Sequence, residues 1–416
     1  MKHKHDLYPM LSVEDALERV LKMFHPLEAE TVPILESLGR VLAQNVYSEI
    51  DIPPHDNSAM DGYAVIAADA AGAGPETPVQ FRVIENLAAG YVADQQVMPG
   101  TAIRIMTGAP VPPGADTVIR FERTRQEGDQ VALYFAPPVG NNVRYAGEDV
   151  HKGDQVLRKG MRVRPPEIGM LASVGCSEVQ VTRRPRVAIL ATGDELVEID
   201  EPLSPGKIRN SNGYSNAAQV LKFGGQPVML SIARDTKADL TAKIKAGLDQ
   251  GVDLFLTSGG VSVGDFDVVK TVLAAEGKME FWRVRMKPGK PLAFGTLKTA
   301  EGRVVPMLGM PGNPVSVMVS FEIFARPAIL KMQGMTEYAR HTVEATLADE
   351  ITSKDERRHY VRVRVEKEGE TYIAHLTGGQ GSGILSSMVK ANGFAVIPEE
   401  WTHAPAGSRV QVILFD

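Results

Sequence analysis

A chain of 416 residues is too long for one ordinary hydrophobic core, so its length predicts about three domains. Hydrophobic residues make up 44% of the sequence and charged residues 23%, a balance that excludes an intrinsically disordered protein. The net charge of -6 and the lack of long Lys/Arg runs argue against nucleic acid as a partner.

The cysteine count and the distribution of apolar residues limit the compartment. Cys176 is the one cysteine in the sequence, which rules out an internal disulfide and a thiolate metal cage. No segment reaches the ~18 apolar residues of a membrane span, and the N-terminus lacks the apolar core of a signal peptide. We therefore expect a cytoplasmic protein with no membrane partner.

The first predicted element is an amphipathic helix that begins after Ser12. Apolar residues recur at helical spacing over 13–24, and His25-Pro26 ends the helix. From Thr31 to about Arg186, short β-rich runs alternate with Gly and Pro breakers. This pattern predicts one or two small all-β domains.

From about Arg186 onward, predicted strands alternate with predicted helices. The strands are expected at 186–190, 227–232, 252–256 and 304–308, and the helices at 214–223, 236–248, 266–275 and 314–332. Such alternation predicts an α/β domain with a mostly parallel sheet and right-handed crossovers. After Gly334, alternating strands around a turn at Glu368-Gly369 predict a C-terminal β domain.

Three Gly-containing turns follow predicted strands of the α/β region. The carboxyl ends of parallel strands meet at one edge of the sheet, where ligands bind. The first turn spans 258–267, where glycines allow backbone N–H groups to approach an anion and a helix N-terminus adds a favourable field. It matches neither the Walker pattern nor the dinucleotide fingerprint. The turn predicts an anion site, with a purely structural turn as the alternative.

The second turn, Gly193-Asp194-Glu195, predicts a metal site together with the first turn. If the two strands are neighbours, Glu195 lies near Asp265 and Asp267. Mg²⁺ prefers carboxylate, water and phosphate oxygens, which this set would supply. The alternative for Asp194 is a helix cap, and the alternative for Glu195 is a surface role.

The third of these turns, at 309–314, and a separate turn at 287–291 are both stiffened by prolines. Pro311 and Pro314 fix the backbone at 309–314, ahead of the long predicted helix. The turn at 287–291 carries Lys287 and Lys290 between prolines. These lysines predict neutralisation of a phosphate or a small oxyanion, with simple solvation as the alternative.

The chain resembles the molybdopterin molybdenumtransferase family, which includes bacterial MoeA and the E domain of gephyrin. The similarity covers essentially the whole chain, and seven motifs carry it in family order. They are Asn57-Ser58-Ala59-Met60-Asp61-Gly62-Tyr63-Ala64, Met106-Thr107-Gly108-Ala109, Gly147-Glu148-Asp149, Thr192-Gly193-Asp194-Glu195-Leu196, Ser258 to Asp267, Lys287-Pro288-Gly289-Lys290-Pro291 and Pro311-Gly312-Asn313-Pro314.

The resemblance implies a fold of four domains in a homodimer. An α/β molybdopterin-binding domain would comprise 1–27 and 182–333, and a β-rich linking domain 28–48 and 151–181. A β-rich domain of 49–150 would contribute to the partner subunit's site, and 334–416 would form a β-barrel-like domain.

The resemblance also implies a reaction: insertion of molybdate into adenylylated molybdopterin, with hydrolysis of the adenylate and release of AMP, using Mg²⁺. Other proteins of molybdenum cofactor biosynthesis are candidate partners. A gephyrin-like scaffold without catalysis and a molybdopterin adenylyltransferase are the alternatives. The sequence does not distinguish molybdate from tungstate.

The family's functional positions fall on defined residues of this sequence. The implied catalytic residues are Asp61, Thr107, Glu195, Asp235 and Asp267. The metal would be held by Glu195 with Asp265 or Asp267, between which the sequence does not decide. The implied substrate-binding residues are Ser58, Asp149, Ser258, Gly259, Gly260, Ser262, Lys287, Lys290, Pro311, Gly312, Asn313 and Pro314.

Overall fold

A computed structural model describes residues 10–259, 277–353 and 355–415. It divides the chain into two compact units. The first unit comprises Met1–Val32, Gly39–Ala43 and Gln180–Asp416, and the second comprises Pro33–Leu38 and Gln44–Val179. The four domain boundaries given above stay a prediction.

The described helices and strands are numbered in chain order. The α-helices are α1 (Val13–Leu21), α2 (Pro165–Ser173), α3 (Ser211–Lys222), α4 (Lys237–Leu248), α5 (Pro314–Ser320), α6 (Arg326–Met332) and α7 (Ser386–Lys390). The strands up to the second unit's end are β1 (Met10–Leu11), β2 (Ala29–Pro33), β3 (Val46–Tyr47), β4 (Asn57–Ser58), β5 (Gly62–Val65), β6 (Val79–Leu87), β7 (Thr101–Ile105), β8 (Thr117–Arg120), β9 (Thr124–Glu127), β10 (Gln130–Leu133), β11 (Val143–Arg144), β12 (Gln155–Leu157) and β13 (Glu178–Thr182). The remaining strands are β14 (Arg186–Ala191), β15 (Leu196–Val197), β16 (Ile208–Arg209), β17 (Gln226–Met229), β18 (Leu254–Ser258), β19 (Gly277–Val284), β20 (Met286–Lys287), β21 (Pro291–Lys298), β22 (Val304–Met310), β23 (Thr342–Leu347), β24 (Ile351–Thr352), β25 (Arg358–Glu368), β26 (Thr371–Leu376), β27 (Gly393–Ile397), β28 (His403–Ala404) and β29 (Arg409–Leu414).

The predicted N-terminal helix is confirmed as α1. The Ser12 hydroxyl accepts a hydrogen bond from the Asp15 N–H at 3.0 Å, which caps the helix. Its buried residues, Val13, Ala16 and Val20, face the core of the first unit. Strand β1 pairs in parallel with β19 just before the helix, so this segment belongs to the first unit's sheet.

The seven-stranded sheet of the first unit has the order β1-β19-β21-β22-β18-β14-β17. Strands β22, β18, β14 and β17 are parallel neighbours, which confirms the predicted mostly parallel sheet. The antiparallel strands β19 and β21 are not predicted by the sequence patterns. Helices α3 and α4 follow β14 and β17, capped by Asn210 and Thr236.

The long helix predicted over 314–332 is interrupted. Helices α5 and α6 are joined by a π-helical turn at Phe321–Ala325. Pro327, in the first turn of α6, lacks an N–H and disfavours a regular α-helix through this point. The π turn buries Glu322, which accepts hydrogen bonds from Arg340 at 2.7 and 3.0 Å.

The C-terminal region of the first unit forms a closed β-barrel, as the fold prediction expects. Strands β25, β26, β23, β29 and β27 pair in that order, and β27 pairs again with β25. The predicted hairpin is confirmed, with Glu368 paired to Thr371 across the turn. Strand β20 joins the outside of the barrel, so the Lys287 turn is attached to β25 by backbone pairing.

The second unit is built mainly from β strands, as predicted. Its largest sheet has the order β8-β5-β7-β6-β10-β9. Helix α2 is not predicted from the sequence, because Pro165 and Pro166 there resemble breakers. Proline fits the first turn of a helix, and the Glu167 carboxylate accepts hydrogen bonds from the Arg164 backbone N–H at 2.8 Å and from its guanidinium at 2.7 Å. Among the described helices, none has the length and apolarity required to cross a bilayer.

A close backbone contact fixes the residue that follows Asp61. A Cβ added to Gly62 would lie 2.1 Å from the carbonyl oxygen of Ile119 on the paired strand β8. We expect Gly62→Ala to lower the free energy of unfolding of the second unit by about 1–3 kcal/mol, because the two strands must separate. Urea unfolding measures this change. Gly169→Ala is the control, since a Cβ at that helical position has open space around it and is expected to be neutral or slightly stabilising.

Candidate functional site

The described parts of the three predicted turns lie together at the carboxyl edge of the first unit's sheet, with Ser258 and Gly259 representing the first turn. Strands β22, β18 and β14 are neighbours, so the turns that follow them are adjacent. The Gly259 N–H donates to the carbonyl of Met310 at 3.2 Å. A Cβ added to Gly312 would lie 3.7 Å from Cα of Gly259.

Gly259 must be glycine at this edge. Its φ is +93°, and a Cβ there would lie 2.6 Å from the carbonyl oxygen of Thr192. The turn after β18 therefore contacts the turn after β14 through backbone atoms.

Three carboxylates meet beside Gly193. Asp194 Oδ1 accepts a hydrogen bond from the Asp235 N–H at 3.3 Å. Partial burial, and then the charges of Asp194 and Glu195, raise the pKa of the Asp235 carboxyl above its usual range. After Asp194 the chain enters β15, so the alternative of a helix cap at Asp194 is wrong. The structure thus brings together two predicted catalytic residues, Glu195 and Asp235.

The carboxylates fit the chemistry of a magnesium site without completing one. Carboxylate oxygens are hard ligands of the kind that Mg²⁺ takes, and the repulsion at Asp235 would be relieved by a cation. Within 10–259, 277–353 and 355–415, no three His, Cys, Asp or Glu side chains form a metal-holding group. The other predicted ligands, Asp265 and Asp267, lie outside the described residues, as do Gly260 and Ser262. The magnesium site therefore stays a prediction.

Unpaired polar atoms lie at this edge. Of the buried side-chain oxygens without a hydrogen-bond partner in the described residues, four belong to this edge or to the start of α3 beside it: Thr192 Oγ1, Asn212 Oδ1, Thr257 Oγ1 and Ser258 Oγ. Buried polar groups are nearly always paired, so such a cluster at a strand-end edge suits a polar ligand.

The proline turn is held from two sides. Asn212 at the start of α3 donates to the carbonyl of Gly312 at 2.7 Å. Asn313 donates to the Ser382 hydroxyl at 2.9 Å. Pro314 opens α5, as its position in the sequence predicts. The turn thus joins the sheet edge to the loop that carries Ser382.

A cavity of about 280 Å³ lies between the Lys287 turn and the barrel. We call it the basic cavity. Its lining includes Lys287, Pro288, Thr352, His359, Arg362 and Gln380. Lys290 is half-buried and is not among the lining residues, so the structure brings one of the two predicted lysines to this cavity.

Arg362 is the residue of the basic cavity that sequence reasoning misses. Its side chain is 1% exposed, and it donates to the Ser387 hydroxyl at 3.1 Å and the Gly381 carbonyl at 3.0 Å. No carboxylate of the described residues forms an ion pair with it. Burial lowers the pKa of its guanidinium to about 10, so the group stays charged at pH 7. A buried cation without a counter-ion is costly, and an anion in the cavity would neutralise it.

The loop at 379–387 connects the basic cavity with the sheet edge. Its Gly381 carbonyl and Ser387 hydroxyl hold Arg362, and its Ser382 hydroxyl holds Asn313. One loop therefore contacts residues of both places.

The second unit positions Asp61 and Thr107 together. The Asp61 carboxylate accepts hydrogen bonds from the backbone N–H and the hydroxyl of Thr107, both at 2.7 Å. These bonds lower the pKa of the exposed Asp61 carboxyl below its usual range. Ser58 is buried and donates to the Met60 carbonyl at 2.5 Å, which is a structural contact, whereas Asp149 is exposed.

The first unit therefore presents a glycine-containing sheet edge with clustered carboxylates and a basic cavity, features that suit an α/β enzyme acting on an anionic small molecule. The comparisons identify the family: the chain belongs to the molybdopterin molybdenumtransferases. It matches the MoeA N-terminal region (domain I and II) at 11–175, a probable molybdopterin binding domain at 188–331, and the MoeA C-terminal region (domain IV) at 344–415. The predicted family is thus confirmed.

Relatives and solved structures match over almost the full length. The molybdopterin molybdenumtransferase of a Nostoc species is 38% identical over 99% of this chain and 95% of its own. Molybdopterin molybdenumtransferase 2 of Mycobacterium tuberculosis is 37% identical over 97% of this chain and 99% of its own. The crystal structure of the molybdopterin biosynthesis MoeA protein from Pyrococcus horikoshii aligns with a TM-score of 0.82 at 33% identity, covering 98% of this chain and 100% of that one.

Proposed function

We propose that this chain inserts molybdate into adenylylated molybdopterin and releases AMP. Because its similarity to the family covers nearly the whole of both chains, the chain is an enzyme of molybdenum cofactor biosynthesis, a molybdopterin molybdenumtransferase. The alternatives of a non-catalytic scaffold and an adenylyltransferase are not favoured, because relatives named as molybdenumtransferases match over nearly their whole length.

The basic cavity carries the proposal. Molybdate is a small tetrahedral dianion, and the cavity is lined by two basic residues, Lys287 and Arg362, of which Arg362 has a buried side chain. Charge-assisted hydrogen bonds from these groups would orient the oxyanion, and its charge would neutralise the unpaired cation. We assign the molybdate position to this cavity.

The sheet edge suits the phosphate end of the substrate. Its glycines allow backbone atoms to approach an anion closely, as at Gly259 and Gly312. The unpaired oxygens of Thr192 and Ser258 are available to polar groups of the ligand. Glu195, with Asp265 and Asp267, would hold Mg²⁺, which polarises the phosphoryl oxygens when bound.

Asp61 and Thr107 complete the proposal from the second unit. Thr107 holds the Asp61 carboxylate in one orientation through two hydrogen bonds and keeps it ionised. A fixed carboxylate of this kind would orient a hydroxyl or amine of the substrate. We further propose that it acts on the partner's first unit in a homodimer.

Release of AMP from adenylylated molybdopterin tests the function. With Mg²⁺, we expect the protein to release AMP in a molybdate-dependent manner, and we expect Glu195→Gln to slow that release by about 10²-fold or more. High-performance chromatography of the nucleotide measures the rate. Glu201→Gln, which removes an exposed carboxylate from the same loop region, is the matched control and should keep the wild-type rate.

Two results would contradict the proposal in different ways. Binding of the adenylate without any AMP release would remove the catalytic function. Full activity and an unchanged Mg²⁺ requirement in Glu195→Gln would leave the reaction in place and remove Glu195 from the metal site.

A further inference from the structure

Asp355 contacts two residues that line the basic cavity, Lys287 and His359, and accepts hydrogen bonds from three positively charged or titratable groups. They are Lys287 Nζ at 3.1 Å, Arg357 Nη2 at 2.6 Å and His359 Nε2 at 2.8 Å. Lys287 is therefore engaged with a carboxylate. An oxyanion that recruits Lys287 must compete with Asp355.

The position of the His359 proton follows from its neighbours. Ser353 Oγ lies 2.8 Å from His359 Nε2 and donates its own proton to the Asp355 carbonyl at 3.0 Å. Ser353 and the Asp355 carboxylate can therefore both accept from Nε2–H, which makes Nδ1 the nitrogen that gains a proton on acidification. Both contacts fall on one ring nitrogen, so this Ser, His and Asp set is not a catalytic triad.

The charged groups around the basic cavity determine how protonation of His359 changes its net charge. Lys287, Arg357 and Arg362 supply three positive charges near the cavity, and Asp355 and Glu350 supply two negative charges. The net charge of the cavity is therefore +1 when His359 is neutral and +2 when His359 is an imidazolium. The +2 state balances the charge of a dianion. The other ionisable groups next to His359 are Arg358, which pairs with Glu14 and Glu399, and Tyr360, whose pKa burial raises to about 12.

We propose that His359 couples proton uptake to oxyanion binding in the basic cavity. When His359 is an imidazolium, it forms a stronger, charge-assisted hydrogen bond with the Asp355 carboxylate and adds a positive charge to the cavity. Lys287 is then released from Asp355 and turns to the oxyanion. Asp355 and His359 are thus positioning residues for Lys287. This inference rests on the proposed function of the cavity.

The sign of the pH effect follows from linkage. Burial lowers the pKa of His359 below its usual range, against the opposing effect of Asp355, so the residue is neutral at pH 7 in the free protein. A bound dianion favours the imidazolium and raises that pKa. Affinity is therefore highest at and below the free-protein pKa. It falls by up to about tenfold per pH unit as the pH rises toward the pKa of the complex.

Isothermal titration calorimetry of the full-length protein with sulfate tests the inference, because sulfate stays a dianion across the range. Titrations at intervals between about pH 5 and 8, in two buffers with different heats of ionisation, give the affinity and the number of protons taken up. The wild type should bind more weakly as the pH rises and take up as much as one proton for each anion. His359→Gln should show neither effect. His375→Gln, which removes an exposed histidine of the same barrel, should behave as the wild type.

A second variant separates positioning from folding. Asp355→Asn removes the charge that competes for Lys287, so its affinity for sulfate at the alkaline end should exceed that of the wild type severalfold. A merely structural role for Asp355 would lower the affinity instead, and that result would overturn the inference.

The remaining outcomes are equally distinct. Wild-type affinity that does not change with pH, or an unchanged pH dependence in His359→Gln, would overturn the coupling and leave the proposed cavity in place. No anion binding at all, or binding that Arg362→Gln does not weaken, would overturn the cavity assignment and the coupling with it.

Discussion

Replacing Arg362 with glutamine is expected to lower molybdate-dependent AMP release by about 10²–10³-fold, the loss typical of removing one charged donor from a site that binds an oxyanion. Arg362 is the buried cation of the basic cavity and has no carboxylate partner among the described residues. Glutamine can keep a hydrogen bond to the Ser387 hydroxyl, but it supplies no charge. Initial rates over a range of molybdate concentrations would show the loss.

The controls for this variant lie on the same strand. Arg364→Gln removes an exposed arginine two residues further along β25, where it contacts Glu366 at 3.0 Å, and should leave the rate unchanged. Arg362→Lys keeps the charge but cannot reproduce the planar contacts to Ser387 and Gly381, so it should recover only part of the activity. Thermal unfolding of each variant reports whether the barrel is intact.

Two results would remove Arg362 from the molybdate position. One is wild-type activity in Arg362→Gln. The other is a loss of rate that additional molybdate does not change and that follows the loss of folded protein.

The elements that the sequence predicts correctly are those whose signal is local. Helix α1 combines a Ser12 cap with apolar residues at one spacing, and both features survive in the structure. Strands β14 and β18 contain continuous runs of buried apolar residues, 187–191 and 254–256, as expected for parallel strands covered on both faces. The meeting of the Gly-containing turns is predicted on the condition that their strands are neighbours, and the pairing of β14 with β18 and of β18 with β22 meets that condition.

The features that the sequence does not predict depend on distant contacts. Strand β25 alternates, and Val361, Val363 and Val365 face the barrel core as the pattern implies. The same alternation predicts a solvated Arg362. Its side of the barrel is instead covered by the loop at 379–387, which no local pattern reveals. The π turn before α6 likewise depends on tertiary packing, in particular on the buried pair of Glu322 with Arg340.

In the candidate site, too, some features follow from local sequence signals and others depend on distant contacts. Glu195 and Asp235 come together because they follow adjacent parallel strands, β14 and β17. Asp61 comes directly before β5 and Thr107 comes just after β7. These two strands are antiparallel neighbours, so the two residues lie at the same end of the pair. Lys287 and Lys290 are equivalent in the sequence pattern, and only the barrel distinguishes them, since β20 pairs with β25 and brings Lys287 to Asp355.

Mixing two inactive variants is expected to restore activity if the catalytic site is shared between subunits. Asp61→Ala lacks the second unit's carboxylate, and Glu195→Ala lacks the first unit's carboxylate. In a mixed dimer, the intact first unit of one subunit faces the intact second unit of the other. Equal, random mixing makes half of the dimers mixed with one good site each, so AMP release should recover to about a quarter of the wild-type value.

The reciprocal mixture is co-expressed in the same way, so that subunits assort at random, and it gives the complementary value. Wild type mixed with the Asp61→Ala, Glu195→Ala double variant should retain about a quarter of the sites if each site uses both subunits, because the mixed dimers then contain no intact site. If each site lies within one subunit, the reciprocal mixture keeps about half and the first mixture recovers nothing. Sedimentation of the wild type shows whether a dimer forms. Two results would contradict a shared site: a wild type that is monomeric at assay concentration, or half of the activity in the reciprocal mixture with none in the first. Either result means that Asp61 and Glu195 act in the same subunit's site or have separate roles.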